Sequence, residues 1–167
     1  KGRITPLTLK AIGELKKKGI PFVITSGRGP DGIYPLLNEY GLKCPIVSYG
    51  GALILDENGN VLFHKGMDKP SAKRVIEFIE NNNLGIRWYA CSFDEWISKD
   101  KNGVRISKKG TVVEAKSSEY SIDSLSADEV SKIMCLCNPK EVLETEERIK
   151  KAFPDFYVVK SSHDLLE

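Results

Sequence analysis

The chain has 167 residues, a mass of 18.6 kDa and a formal net charge of +2. Hydrophobic residues make up 41% of it and charged residues 29%, a mixture that can fill a hydrophobic core and that excludes a wholly disordered chain. The small net charge argues against a nucleic-acid-binding protein, which is usually strongly basic. The longest apolar runs, about six residues, are far short of the roughly 20 that cross a bilayer, so we expect no membrane span.

The four cysteines are sparse and irregularly spaced, unlike those of a disulfide scaffold. Cys135 and Cys137 share one face of a predicted strand, but no further ligands lie nearby in the sequence. Neither His64 nor His163 belongs to a zinc-binding motif, and no apolar signal sequence follows Lys1. We therefore expect reduced structural cysteines, a cytoplasmic location and no metal site within these residues.

The first part of the chain alternates between helix and strand patterns, which is typical of an α/β core. Thr5 and Pro6 predict the start of a helix that ends before Gly19. The continuous apolar run 20–25 predicts a parallel strand that is buried on both faces. The patterns that follow predict a helix over 33–40, a strand over 44–48 and a hairpin with arms at 52–55 and 61–64 around an Asn-Gly turn.

From residue 67 onward the patterns are those of a small α+β domain. Amphipathic helices are predicted over 70–83 and 139–153, the second with Val142, Leu143 and Ile149 facing inward. The polar stretch 98–127 predicts loops with weak strands. Strands are predicted over 85–90, 93–97, 131–138 and 156–160.

The most informative stretch for function is the end of the first predicted strand, Ser26-Gly27-Arg28. Ligands of open α/β sheets bind at the carboxyl ends of strands. The Ser26 hydroxyl and the backbone N–H groups of Gly27 and Arg28 suit a phosphate, and the Arg28 guanidinium can bind two oxygens of one anion. A polar turn that only caps the next helix is the alternative, and these three residues alone do not choose between the two.

Segments 4–20, 24–28 and 46–52, in this order and at these spacings, resemble the haloacid dehalogenase (HAD) superfamily, and within it the Cof-type, sugar-phosphatase-like branch. The tail 132–167 is similar to the last part of that branch's cap domain. The resemblance implies a partial Rossmann-like HAD core over 1–66, with a parallel sheet and a hairpin. It further implies an inserted α+β cap domain over 67–160 and the start of re-entry into the core over 161–167.

The resemblance also implies an activity, namely Mg²⁺-dependent hydrolysis of a small phosphorylated metabolite, such as a sugar phosphate, through an aspartyl-phosphate. It implies that Ser26 binds the phosphoryl group, with Gly27 as its backbone neighbour and Arg28 as a substrate contact. Gly50 and Gly51 match the family's substrate-binding Asn-Gly-Ala turn. Gly50 replaces the asparagine, so that polar contact is absent here.

The family's other catalytic motifs are not in these 167 residues. The resemblance places the D-x-D-G-T motif before Lys1, and the lysine and the acidic pair that complete the Mg²⁺ site after Glu167. We therefore expect a fragment of a longer phosphatase that is inactive alone and whose Mg²⁺ ligands lie outside it. Two other functions remain open, a non-catalytic phosphate-binding or interaction module and a phosphomutase of the same superfamily.

In relatives of this type the cap supplies substrate contacts. Arg87 is the candidate for a second anionic group of the substrate, and Trp88 is the candidate for stacking on a sugar. The alternative is that the aromatic side chains pack against the cap's own sheet. The expected partner is a small phosphorylated metabolite, with neither nucleic acid nor membrane, and the sequence leaves the oligomeric state open.

Overall fold

The structure, a computed structural model, describes residues 3–98, 106–108, 111–113 and 121–167. Its helices and strands, in chain order, are α1 (Pro6–Lys17), β1 (Ile24–Thr25), α2 (Tyr34–Glu39), β2 (Ile46–Ser48), β3 (Leu53–Leu55), β4 (Val61–His64), β5 (Met67–Asp68), α3 (Lys69–Asn81), β6 (Arg87–Ser92), β7 (Glu95–Ser98), β8 (Ile106–Lys108), β9 (Thr111–Val113), β10 (Glu129–Val130), β11 (Lys132–Leu136), α4 (Val142–Ala152) and β12 (Leu165–Leu166). Short 3-10 helices cover Pro30–Gly32, Tyr49–Gly51 and Ile122–Ser124.

These elements form two compact units. The first lies within Lys1–Lys65 and Arg105–Glu114, and the second lies within Gly66–Val104 and Ala115–Glu167. Each unit contains a four-stranded sheet and α-helices among its described residues, which confirms the predicted α/β class. None of the described helices is long and apolar enough to cross a membrane.

The sheet of the first unit has the order β1-β2-β3-β4. β1 and β2 are parallel, whereas β2, β3 and β4 are antiparallel neighbours, so the predicted mixture of parallel strands and hairpin is present. The predicted strand 20–25 pairs only over Ile24–Thr25. The expectation that it is buried on both faces is wrong, since Ile20 is 46% and Val23 is 48% exposed. The reason is that β1 is the edge of the described sheet and that α1 buries none of its residues.

The turn of the β3–β4 hairpin is held by Asp56. Its carboxylate accepts hydrogen bonds of 2.8 Å from the backbone N–H groups of Asn58 and Asn60, and its backbone carbonyl accepts one of 3.1 Å from Gly59. Gly59 has a φ of 85°, which the Asn-Gly pair predicted. Lys43 donates a further hydrogen bond of 2.9 Å to the side-chain oxygen of Asn58. The Asn60 side-chain amide donates a hydrogen bond of 2.8 Å to the Asp56 carboxylate and is the largest cause of the lowered pKa of this carboxyl, to which the backbone N–H groups of Asn58 and Asn60 also contribute.

The second unit packs two helices on one face of an antiparallel sheet of the order β12-β11-β6-β7. Asp68 caps α3 by accepting a hydrogen bond of 2.7 Å from the backbone N–H of Ser71. Ile133, Cys135 and Cys137 belong to the core, which confirms that they share a face. The helices contribute Ala72, Val75, Ile76, Ile79, Val142 and Ile149 to the same core.

Two expectations for this unit are wrong. Leu143 is 60% exposed, because Val142, Thr145 and Ile149 form the buried stripe of α4 and the following position points away from it. Residues 156–160 form no strand, although Val159 exchanges two backbone hydrogen bonds of 2.8 Å with Glu167. β12 was not predicted from the sequence. Its residues, Leu165 and Leu166, pair with β11.

The four cysteines are free and buried. Burial raises the pKa of the Cys44 and Cys135 thiols. It also raises the pKa of Cys137 to about 11, to which the nearby Asp164 carboxylate contributes. These thiols are protonated at neutral pH, as expected for structural cysteines.

Candidate phosphate-binding site

Ser26 lies directly after β1, at its carboxyl end. Its backbone N–H donates a hydrogen bond of 2.9 Å to the carbonyl of Val47, which continues the parallel pairing one residue beyond the strand. Its side chain is half-buried, and its hydroxyl oxygen accepts a hydrogen bond of 3.1 Å from the backbone N–H of Arg28. The Ser26 hydroxyl donates to no group in the described part of the chain. Its O–H is therefore available to donate a hydrogen bond to an anion.

This hydrogen bond corrects one expectation. The backbone N–H of Arg28, which we expected to face an anion, is occupied by Ser26. The polar-turn alternative is therefore present in the structure. It does not exclude anion binding, because a hydroxyl that accepts one hydrogen bond still has its own proton to donate.

The Arg28 side chain folds back over its own turn. One terminal nitrogen of its guanidinium, Nη1, donates to the backbone carbonyl of Gly32 at 3.3 Å, and its aliphatic part lies 3.2 to 3.6 Å from where a side chain at Gly32 would begin. One of the two terminal nitrogens is thus engaged. In this conformation the guanidinium is not free to make the expected bidentate contact with an anion, because Nη1 binds the Gly32 carbonyl.

A second turn, at the carboxyl end of β2, holds the first. The backbone N–H of Gly50 donates to the carbonyl of Ser26 at 3.1 Å, and that of Tyr49 donates to the carbonyl of Arg28 at 3.0 Å. Tyr49, Gly50 and Gly51 have φ angles of 52°, 68° and 116°. The structure thus places Gly50 next to the Ser26–Arg28 turn through a backbone hydrogen bond, and a role of Gly50 and Gly51 in substrate binding stays a prediction.

Two residues of this region were not found from the sequence. Tyr49 is 6% exposed, and its hydroxyl lies where a side chain at Gly29 would begin. Ser48 is fully buried, and its hydroxyl has no hydrogen-bond partner in the described structure. No local pattern signals the close approach of Tyr49 to Gly29, because these residues are 20 positions apart in the chain.

The donors of this region are hydroxyl, amide and guanidinium groups, which suit an anion rather than a cation. Among the described residues, no group of three or more His, Cys, Asp or Glu side chains is placed to hold a metal ion. The described residues therefore do not fit Mg²⁺, and we derive no step that passes through it.

The two candidates in the second unit differ in their surroundings. Arg87 begins β6 and is exposed. Trp88 is 4% exposed, lies in the hydrophobic core and donates a hydrogen bond of 3.1 Å from its indole nitrogen to Glu80. Its ring has no face left for a sugar, so the structure corrects this candidate in favour of the packing alternative.

A hydroxyl-bearing turn at the carboxyl end of a parallel strand is typical of α/β proteins that bind ligands there. The family model described as haloacid dehalogenase-like hydrolase matches residues 1–167. The chain therefore belongs to the haloacid dehalogenase-like hydrolase family.

Individual proteins are similar to this chain in sequence or in structure. A Haemophilus influenzae protein provisionally named as a phosphatase is 26% identical over 168 residues, which cover 98% of this chain and 62% of that protein. A haloacid dehalogenase-like hydrolase from Bacteroides thetaiotaomicron has a similar structure, with a TM-score of 0.79, 16% identity and coverage of 98% of this chain and 63% of its own. The HAD subclass IIB sugar phosphatase BT4131 has a TM-score of 0.74, 17% identity and coverage of 98% and 62%. The chain thus spans about three fifths of the length of these relatives.

Proposed function

We propose that this chain is part of a cytoplasmic, Mg²⁺-dependent phosphatase that hydrolyses a small phosphorylated metabolite, such as a sugar phosphate, through an aspartyl-phosphate. Membership of the family supports the hydrolase class, and structural similarity to the sugar phosphatase BT4131 supports a sugar phosphate as the substrate. One observation carries the proposal. The Ser26 hydroxyl lies at the carboxyl end of a parallel strand and donates no hydrogen bond within the described residues.

In this proposal Ser26 donates a hydrogen bond to a non-bridging oxygen of the phosphoryl group. A donor that is already held in place stabilises the charge that develops on these oxygens during transfer. Arg28 contacts the substrate after its guanidinium leaves the Gly32 carbonyl. The exposed Arg87 remains a candidate for a second anionic group of the substrate.

The nucleophile and the Mg²⁺ ligands belong to the proposal for the whole protein. The coding sequence on both sides of this segment is the first thing to read. A D-x-D-G-T motif shortly before Lys1, with a lysine and an acidic pair after Glu167, supports the proposal. Flanking sequence without these motifs overturns the aspartyl-phosphate mechanism and leaves the phosphate-binding module as the function.

Activity is then measured in the full-length protein as release of inorganic phosphate from a panel of sugar phosphates. We expect Ser26→Ala to lower kcat/KM by about 10²–10³-fold, the effect of removing one donor to a developing oxyanion. Ser26→Thr keeps the hydroxyl and should retain most activity. The matched control is Ser162→Ala, which removes another half-buried serine hydroxyl, in the second unit. Transfer of phosphate within the sugar without its release would instead identify a phosphomutase.

A further inference from the structure

The backbone conformation of Tyr49 is unusual for its residue type. Among the described residues, Tyr49, Asn83 and Phe93 are the only ones other than glycine with a positive φ. Asn83 follows α3 and Phe93 lies in the β6–β7 turn, where left-handed residues are common. Tyr49 instead follows a parallel strand, next to the Ser26–Arg28 turn. A bulky side chain in this region is strained, because its Cβ crowds the following carbonyl oxygen.

The left-handed conformation of Tyr49 sets the direction of the chain after β2. The chain turns so sharply after β2 that two successive N–H groups, those of Tyr49 and Gly50, reach the Ser26–Arg28 turn. They bind the carbonyls of Arg28 and Ser26, on either side of Gly27. Ser26 is thereby held at both ends of its backbone, because its own N–H already binds Val47.

The Tyr49 ring holds the same turn from a different direction. It is buried, and its hydroxyl lies so close to Gly29 that a methyl group there would overlap it. The backbone and the side chain of one strained residue thus both fix the segment that carries the Ser26 hydroxyl. Such strain persists where the surrounding structure enforces it and is a recognised feature of functional sites.

We infer that Tyr49 is a positioning residue that fixes the orientation of the Ser26 hydroxyl towards phosphate, without contacting the phosphate itself. This inference rests on the proposed phosphate site. Its direct structural signature is the bond between the Arg28 N–H and the Ser26 hydroxyl, which exists only while the turn keeps its shape. Hydrogen exchange of the Arg28 amide therefore reports positioning independently of phosphate binding.

The test uses the 167-residue chain and inorganic phosphate, with amide signals followed by NMR. Tyr49→Gly removes the ring, and because glycine adopts the left-handed conformation without strain, any change reports the loss of the side chain. We expect it to increase Arg28 amide exchange at least tenfold and to weaken phosphate binding at least tenfold, while amides in β2 and β3 keep their protection. Tyr49→Phe keeps the ring and the left-handed backbone and should restore both properties to within about threefold. Phe93→Gly is the matched control, because it removes another left-handed aromatic residue, in the second unit, and should change neither property.

Two results would overturn the inference. One is unchanged Arg28 exchange and phosphate binding in Tyr49→Gly. The other is an equal loss of protection throughout β2 and β3, since that would show Tyr49 to stabilise the whole sheet rather than the turn. If the unsubstituted chain and Ser26→Ala bind phosphate equally or not at all, this chain's phosphate site fails, and Arg28 exchange still decides whether Tyr49 fixes the turn.

Discussion

The hydroxyl of Ser92 donates a hydrogen bond of 2.8 Å to the backbone carbonyl of Glu129 and so links β6 to β10. Ser48, in the first unit, is equally buried, since both residues have no exposed surface. Its hydroxyl, however, has no hydrogen-bond partner in the described structure. The two serines therefore form a matched pair in which burial is the same and hydrogen bonding differs.

The first prediction concerns this pair. We expect Ser92→Ala to lower the free energy of unfolding by about 0.5–1.5 kcal/mol, because it removes the hydrogen bond from the buried Ser92 hydroxyl to the Glu129 carbonyl. Ser48→Ala should leave it unchanged or raise it, because it removes a buried hydroxyl that has no partner. Urea denaturation of both variants measures the difference. A larger loss in Ser48→Ala than in Ser92→Ala would contradict the prediction.

The second prediction concerns the space around Gly29. A methyl group at this position would overlap the Tyr49 hydroxyl and lie 2.7 Å from Asp31 Oδ1, so Gly29→Ala should destabilise the first unit by about 1–3 kcal/mol. Gly13→Ala is the control. Nothing lies within 4 Å of a methyl group at Gly13, which is inside α1, so this variant should be more stable by about 0.5–1 kcal/mol. Equal effects of the two substitutions on thermal unfolding would refute this account.

The third prediction separates the two glycines of the second turn. Gly50 has a φ of 68° and a ψ of 17°, and there is open space where its side chain would begin. Asparagine tolerates this conformation, so Gly50→Asn, which restores the family's asparagine, should cost less than about 1 kcal/mol. Gly51 has a φ of 116°, and Gly51→Asn should cost about 1–3 kcal/mol. Denaturation midpoints in the opposite order would show that backbone conformation does not decide tolerance at this turn.

The fourth prediction concerns alkaline pH. Burial raises the pKa of the Cys137 thiol from 9.0 to about 11, so between these values the folded chain retains a proton that the unfolded chain has lost. The folded state binds more protons, and its stability must fall as the pH rises through this range. Unfolding followed at several pH values from 9 to 11 should show a smaller fall in Cys137→Ala than in the unsubstituted chain. Identical slopes would mean that this thiol does not contribute.

Local signals in the sequence predicted the elements that depend on neighbouring residues. The Thr5-Pro6 cap, the Asn58-Gly59 turn and the alternation along β11 led to correct predictions of a helix, a hairpin and a buried face. The errors arose where distant segments decide the outcome. The exposure of Val23 and the burial of Trp88 depend on what packs against them, which apolar periodicity does not reveal.

In the candidate site, too, features set by neighbouring residues were predicted and features set by other contacts were not. Ser26 was identified from its place at the end of an apolar run, and the structure places it at the carboxyl end of a parallel strand. The engagement of the Arg28 N–H and guanidinium was not predicted, because both groups bind partners within their own turn rather than following the strand pattern. The contacts made by Tyr49 connect two turns, and no motif in either turn encodes them.

The hairpin turn at Asp56 also affects the chemical lifetime of the protein. An asparagine deamidates fastest when glycine follows it. The glycine nitrogen attacks the asparagine side-chain carbonyl and expels ammonia, and the resulting cyclic imide opens to aspartate or isoaspartate. Here the N–H of the attacking Gly59 nitrogen donates to the Asp56 carbonyl. The same bond that shapes the hairpin therefore slows its spontaneous decay, and damage at this dipeptide would record how long the hairpin has spent open.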